Sequence, residues 1–158
     1  MVDPHTSSVS KEREVYVLSD LHIGNGSAKD NLIKNNRETL LYRLLDEIER
    51  QDGQIILLGD FLELWRYRLE DVLSRWHKLL DRLNQIQVVY ILGNHDAALQ
   101  DPKLQKMHSF FDNICPPFIA SFNHRRFKFM HGHEIDPIIS EDWHKFSHML
   151  RRFVGAFE

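Results

Sequence analysis

Apolar positions fall along this chain in two alternating patterns. Short unbroken runs occupy the stretches Glu14–Asp20, Gln54–Asp60 and Gln87–Leu92. Each is too short for a helix face and lacks the polar alternation of a strand with one wet side. Such runs fit strands buried on both faces, as in a parallel sheet covered by helices. Between them the period changes. Over Arg37–Arg50, Leu40, Leu41, Leu44, Leu45 and Ile48 repeat at helical spacing, with Asn35 or Asn36 to cap the start and Gly53 just past the end. Over Phe61–Gln85, Leu69, Val72, Leu73, Trp76, Leu80 and Leu83 repeat the same way, which predicts one long helical region. Strands alternating with helices imply an α/β chain.

The remainder is less regular. Ala97–Phe111 reads as a loop with a short helix, and Pro116-Pro117 breaks the chain. Phe118–Phe122 and Arg126–Met130 read as a hairpin with Asn123 and His124 near its tip. Ser140 caps a last amphipathic stretch carrying Trp143, Phe146, Met149, Leu150 and Phe153. Residues 1–13 read as a flexible tail and 14–158 as one domain, with no internal repeat or linker.

Every predicted strand ends in polar chemistry. The first runs into Asp20 and His22, the second into Gly59-Asp60, the third into Gly93-Asn94-His95-Asp96, and Phe127–Gly132 into His131. One aspartate after a strand is ordinary turn or cap chemistry. Four successive strand ends carrying Asp or His are not explained by capping, and in open α/β sheets ligands bind beyond the carboxyl ends of strands.

Asp20, His22, Asp60, Asn94 and His131 can all ligate metal through oxygen or imidazole nitrogen, and none is a thiol. That donor set points to Mn, Fe(II), Zn or Mg rather than a cysteine-based structural zinc. Two cations about 4 Å apart repel, so a carboxylate must lie between them, and Asp60 on the central strand is the expected bridge. Asn94 would add a neutral oxygen. Two such ions activate water and clamp the oxygens of a phosphoryl centre. His95 would then protonate a leaving oxygen or stabilise phosphoryl charge, with Asp96 fixing its ring.

Composition narrows the picture in a few places. The 158 residues carry a net charge of −3, which argues against general nucleic-acid binding. The one cysteine, Cys115, allows no internal disulfide and fits a reducing, cytoplasmic setting as a small buried apolar residue. No run approaches a membrane span, although a peripheral contact with a membrane stays open. There is no glycine-rich loop of the dinucleotide or phosphate-binding kind.

Asp-x-His (Asp20, His22), Gly-Asp (Gly59, Asp60), Gly-Asn-His-Asp (Gly93 to Asp96) and His-Gly (His131, Gly132), in that order and each after an apolar run, resemble the motifs of the calcineurin-like metallophosphoesterases over about residues 14–136. Ser19 to Gly24 and Gly59 to Trp65 resemble more narrowly the branch containing UDP-2,3-diacylglucosamine hydrolases. The resemblance implies a four-layer α/β/β/α sandwich and two divalent ions, manganese first. It implies hydrolysis of a phosphomonoester, phosphodiester or nucleotide-linked pyrophosphate by metal-bound hydroxide. The family's closing Gly-His-x-His is absent: His131-Gly132-His133-Glu134 lacks the second histidine, and His144 and His148 read as a solvated helix face. The expectation is therefore a domain incomplete at its C-terminus, weak in catalysis and prone to self-association. The alternative is an inactive metal-binding or interaction module of the same fold.

Overall fold

A computed structural model describes residues 13–122 and 124–135. Three strands form a parallel sheet: β1 (Val15–Leu18), β2 (Gln54–Leu58) and β3 (Gln87–Ile91), in the order β1-β2-β3. Val17 stands opposite Ile56, and Ile56 opposite Val89. The central strand is buried on both faces, as its unbroken apolar run requires.

Its alternate residues enter two separate cores. Ile55 and Leu57 face helices α1 (Arg37–Arg50) and α2 (Leu69–Gln85), joining Leu45, Ile48, Val72 and Trp76 in one cluster. Ile56 faces the other way, where Ile91, Phe118 and Ala120 make a second cluster. Phe118 and Ala120 belong to β4 (Phe118–Phe122), which pairs antiparallel with β5 (Arg125–Phe129). The described residues thus make three layers: helices, parallel sheet and hairpin. The fourth layer of the expected sandwich, and the predicted helix from Ser140 with His144 and His148, lie outside them. Half-buried Cys115 packs against the hairpin-side cluster, and burial pushes its thiol up to about 11, as expected of an apolar filler.

Three local expectations change. The helix after β2 starts at Leu69, not Phe61. Phe61 and Leu62 give their N–H groups to the Asp96 carboxylate, and Glu63 N–H donates to the Ile23 carbonyl. That stretch therefore continues beside the loop after β1, with a parallel bridge between Ile23 and Leu62. Helical periodicity in the sequence could not register these long-range bonds.

The second change concerns α1, whose bounds are as expected. Leu40 is 57% exposed, because the buried stripe runs through Leu41, Leu45 and Ile48, about 100° around the helix from Leu40. Third, Asn36 precedes α1 in a left-handed conformation and makes no side-chain cap bond. At the other end Asp52, not Gly53, takes the left-handed position (φ 50°). Gly53 N–H reaches the Ile48 carbonyl at 2.8 Å and Asp52 N–H the Glu49 carbonyl at 3.1 Å, the paired bonds of a Schellman ending. The strand leading to His131 belongs to the antiparallel hairpin, as expected.

Candidate metal centre

The loops after β1 and β2 stay in register beyond the sheet. Asp20 N–H donates to the Gly59 carbonyl (3.2 Å), and His22 N–H to the Asp60 carbonyl (2.9 Å). Asp20, His22 and Asp60 all have left-handed backbone, with φ of 57°, 47° and 52°. Each such position costs about 1–2 kcal/mol outside glycine. Strain of this kind persists where surrounding bonds over-determine it, and it gathers at functional sites.

Two glycines make the approach close enough. A Cβ on Gly93 would lie 2.1 Å from Asp60 Oδ1, and one on Gly59, whose φ is +81°, would lie 2.2 Å from His131 Nδ1. Neither clash could be relieved without moving Asp60 or His131. The Gly-Asp and Gly-Asn pairs of the sequence are therefore packing requirements of the site.

Three imidazoles converge on Asp60. Their Nε2 atoms stand 3.4 Å (His131), 3.8 Å (His22) and 4.0 Å (His95) from Asp60 Oδ2. Each ring's Nδ1 is engaged elsewhere. His22 Nδ1 meets Glu63 Oε2 at 3.1 Å, His95 Nδ1 meets both Glu63 oxygens at 2.9 Å, and His131 Nδ1 meets the Leu58 carbonyl at 2.9 Å. A carboxylate or carbonyl can only accept, so Nδ1 carries the proton in each ring. The inward Nε2 is left to bind an ion or to carry a second proton.

The electrostatics follow from this convergence. Burial pushes Asp60 up, but hydrogen bonds from His131 and from the His95 N–H, with the charges of both rings, hold its carboxyl below the ordinary range. Burial likewise raises Glu63, and His95 and His22 outweigh it, leaving the group ionised. His95 is raised: desolvation opposes its charge, but Glu63 prevails. His131 is held at about 9, chiefly by its bond to Asp60.

Asp60 belongs to two groups of potential ligands. One is His22, Asp60 and His95; the other is Asp20, Asp60 and His131; within each the donor atoms lie within 4.8 Å of one another. Ligands about 2.1 Å from an ion stand roughly 3–4 Å apart, which the histidine-to-Asp60 distances match. Oxygen and imidazole donors without thiolate suit Mn, Fe(II), Zn or Mg. The residues therefore fit divalent cations. Asn94 lies one position before His95, and its main-chain carbonyl accepts from Trp65 Nε1 at 2.9 Å. The His133 ring is 5.4 Å from that of His131 and is in neither group.

The expected partnership of His95 with Asp96 is corrected. Asp96 is fully buried, and its carboxylate accepts from Phe61 N–H (2.8 Å), Gly93 N–H (2.6 Å) and the Tyr90 hydroxyl (2.5 Å). It ties the loops after β2 and β3 together beneath the site. The His95 ring is oriented by Glu63 and by Trp65, which stacks on it at 3.8 Å and 19°. Sequence reasoning passed over Glu63. The available signal was a lone acid inside the apolar run Phe61-Leu62-Glu63-Leu64-Trp65.

A parallel sheet whose strand ends gather carboxylate oxygens and imidazole nitrogens about one shared aspartate defines an α/β protein with a candidate dinuclear metal centre. The chain belongs to the calcineurin-like phosphoesterase family, whose sequence profile it matches over residues 14–153. Among curated proteins, none matches it significantly. Membership makes it a metal-dependent phosphoester hydrolase by family. Among the described residues, no helix is long and apolar enough to cross a membrane.

Proposed function

We propose that this chain hydrolyses a phosphomonoester, a phosphodiester or a nucleotide-linked pyrophosphate using two divalent cations, manganese first among them, with Asp60 shared. The observation that carries the reading is the three-ring arrangement: every Nδ1 is tied outward and every Nε2 aims at Asp60. Asp60 shares one ligand group with Asp20 and His131 and another with His22 and His95, His22 Nε2 also stands 3.8 Å from Asp20 Oδ1, and Asn94 precedes His95 in the chain. Bound divalent cations would supply activated water and charge neutralisation at the phosphoryl group.

The chain's own residues do the rest. Asp60 holds both halves together through its negative charge. His95, whose charged form Glu63 favours, has its Nε2 placed to donate to a phosphoryl or leaving oxygen when that form is present. Trp65 covers one face of that ring and limits access of water to it. A second reading of His95 has its own support. Its Nε2 lies with His22 and Asp60 in one ligand group, which suits a third ligand rather than a proton donor.

Elemental analysis after Mn²⁺ loading, with hydrolysis of aryl phosphomonoester and diester and of a UDP-linked diacyl sugar, tests the proposal. The expected result is about two ions per chain and metal-dependent turnover of at least one substrate. Bound metal without turnover of any would make the chain a metal-binding module instead. Cleavage of the aryl esters but not the sugar nucleotide would separate it from the narrower branch.

A further inference from the structure

The loop after β1 carries a buried acid that the candidate metal centre does not use. Asp30 is fully buried, and its carboxylate accepts three N–H bonds. Oδ1 takes the Leu32 N–H at 2.8 Å; Oδ2 takes the Gly26 N–H at 2.7 Å and the Trp76 Nε1–H at 3.3 Å. Trp76 shares that hydrogen with the Gly24 carbonyl at 2.8 Å, and the Arg75 guanidinium lies over its ring, 3.9 Å from the centroid. Arg75 also closes on Gly26, where an added Cβ would stand 2.7 Å from its side chain. Asn25-Gly26 is therefore gripped between Asp30 and α2.

Asn-Gly is the dipeptide in which asparagine deamidates most readily, because glycine has no Cβ to crowd its own nitrogen. In that reaction the glycine nitrogen loses its proton and attacks the asparagine side-chain carbonyl carbon. A new N–C bond forms, the bond to the amide nitrogen breaks, and ammonia leaves with the proton. Water then opens the five-membered imide to aspartate or isoaspartate. Water is the sole co-reactant.

We infer that Asn25-Gly26 is a latent deamidation site, kept closed by the Asp30 carboxylate. The electrophile is already prepared. Ser27 N–H donates to Asn25 Oδ1 at 3.2 Å and polarises that carbonyl, as an oxyanion donor does. The nucleophile is withheld. An N–H bonded to an anion gives up its proton less readily, because the charge left on nitrogen would face the carboxylate's own. The Gly26–Asp30 bond must therefore open before the imide can form. Once open, the reaction places a new negative charge at position 25, three residues beyond His22. The isoaspartate product also lengthens the main chain of this loop by one carbon. The inference stands apart from the metal-centre reading, since no group in it is a candidate ligand.

The test is deamidation of the full chain in mildly alkaline buffer, followed on the tryptic peptide of residues 14–29, in which Asn25 is the sole asparagine. Folded wild type should react there about 10–100-fold more slowly than the same chain in guanidinium chloride, the factor that a hydrogen bond to a charged group represents. Asp30→Ala should lose most of that protection while circular dichroism shows the fold retained. Arg75→Ala, which loosens the packing on Gly26 but leaves the carboxylate, should keep it. Hydrogen exchange in wild type needs no variant and decides the matter if Asp30→Ala does not fold. The Gly26 N–H should exchange more slowly than that of exposed Ala28 in the same loop, by a similar factor. Equal rates in folded and unfolded wild type would overturn the inference. So would a folded Asp30→Ala that stays protected, an Arg75→Ala that reacts as fast as Asp30→Ala, or a Gly26 N–H that exchanges as fast as that of Ala28.

Discussion

The two flanks of Asp60 are held by different means. On one, His22 and His95 share the side-chain carboxylate of Glu63. On the other, His131 leans on the backbone carbonyl of Leu58, the last residue of β2. A side chain can be replaced, so the first flank answers to one substitution. A carbonyl cannot be removed, and His131 reaches it only because the β4–β5 hairpin packs on the parallel sheet. The first flank is thus a local device of three loops, and the second depends on how two sheets dock. Disturbing the loops and disturbing the docking should affect different halves of the centre.

The largest effect is expected where the flanks meet. Asp60→Asn keeps volume and an acceptor for the His95 N–H but removes the charge that both groups share. Phosphoester hydrolysis should fall on the order of 10⁴-fold or more, because several kcal/mol of stabilisation is lost at each ion. Elemental analysis should show both ions reduced together. Loss of only one would show that the flanks are independent and that Asp60 does not couple them.

Next in size is the Glu63 flank. As a proton donor, His95 should cost about 10²–10⁴ in turnover when replaced by alanine, with metal content nearly unchanged. If His95 is instead a ligand, metal content and turnover should fall in parallel. Measuring both on the same preparation decides between the two roles.

The docking flank is reached through Phe118. This ring is buried and stacks on Phe129 at 5.1 Å, in the cluster that joins hairpin to sheet. Phe118→Ala should cost about 3–5 kcal/mol of stability by denaturant unfolding. It should also loosen His131 while leaving the Glu63-bound Nδ1–H signals of His22 and His95 in place. Equal broadening on both flanks would refute the division.

How far the sequence could be read divides along the same line. β1, β2, β3, α1 and the hairpin are local patterns of period and turn chemistry, and their positions were legible to within a residue or two. So was the gathering of Asp20, His22, Asp60, His95 and His131, since each follows a strand. Partnerships across loops were not legible. Asp96 sits beside His95 in the chain yet bonds Phe61, Gly93 and Tyr90, whereas Glu63, 32 residues away, takes the histidine. Adjacent side chains leave the backbone in different directions, and only the tertiary register of the loops decides which acid faces which ring. Phe61 to Arg68 depart from the helix their periodicity predicts for the same reason: the N–H groups of Phe61 to Leu64 bond to distant segments.

The smallest predicted effect is a pH dependence, and it concerns the His131 flank. In the metal-free protein, His131 is held at about 9 by its bond to Asp60, against the cost of burial and with help from the Leu58 carbonyl. Its folded value lies above the unfolded one of about 6.5, so the protonated ring stabilises the metal-free fold. That contribution is complete below about pH 6.5 and is lost as pH rises through about 9. Asp60 runs the other way: its value is depressed, so its contribution is present above the ordinary carboxylate range and is lost as pH falls through the folded value. An ion on His131 must displace the proton from Nε2. Affinity for Mn²⁺ should therefore rise with pH, by up to about tenfold per unit for one proton displaced, and level off near pH 9. The melting temperature of metal-free protein should decline over the same interval, while saturating Mn²⁺ flattens the decline. Affinity independent of pH between 6.5 and 9, measured by calorimetry in two buffers of different ionisation enthalpy with no proton release, would place the ion away from His131.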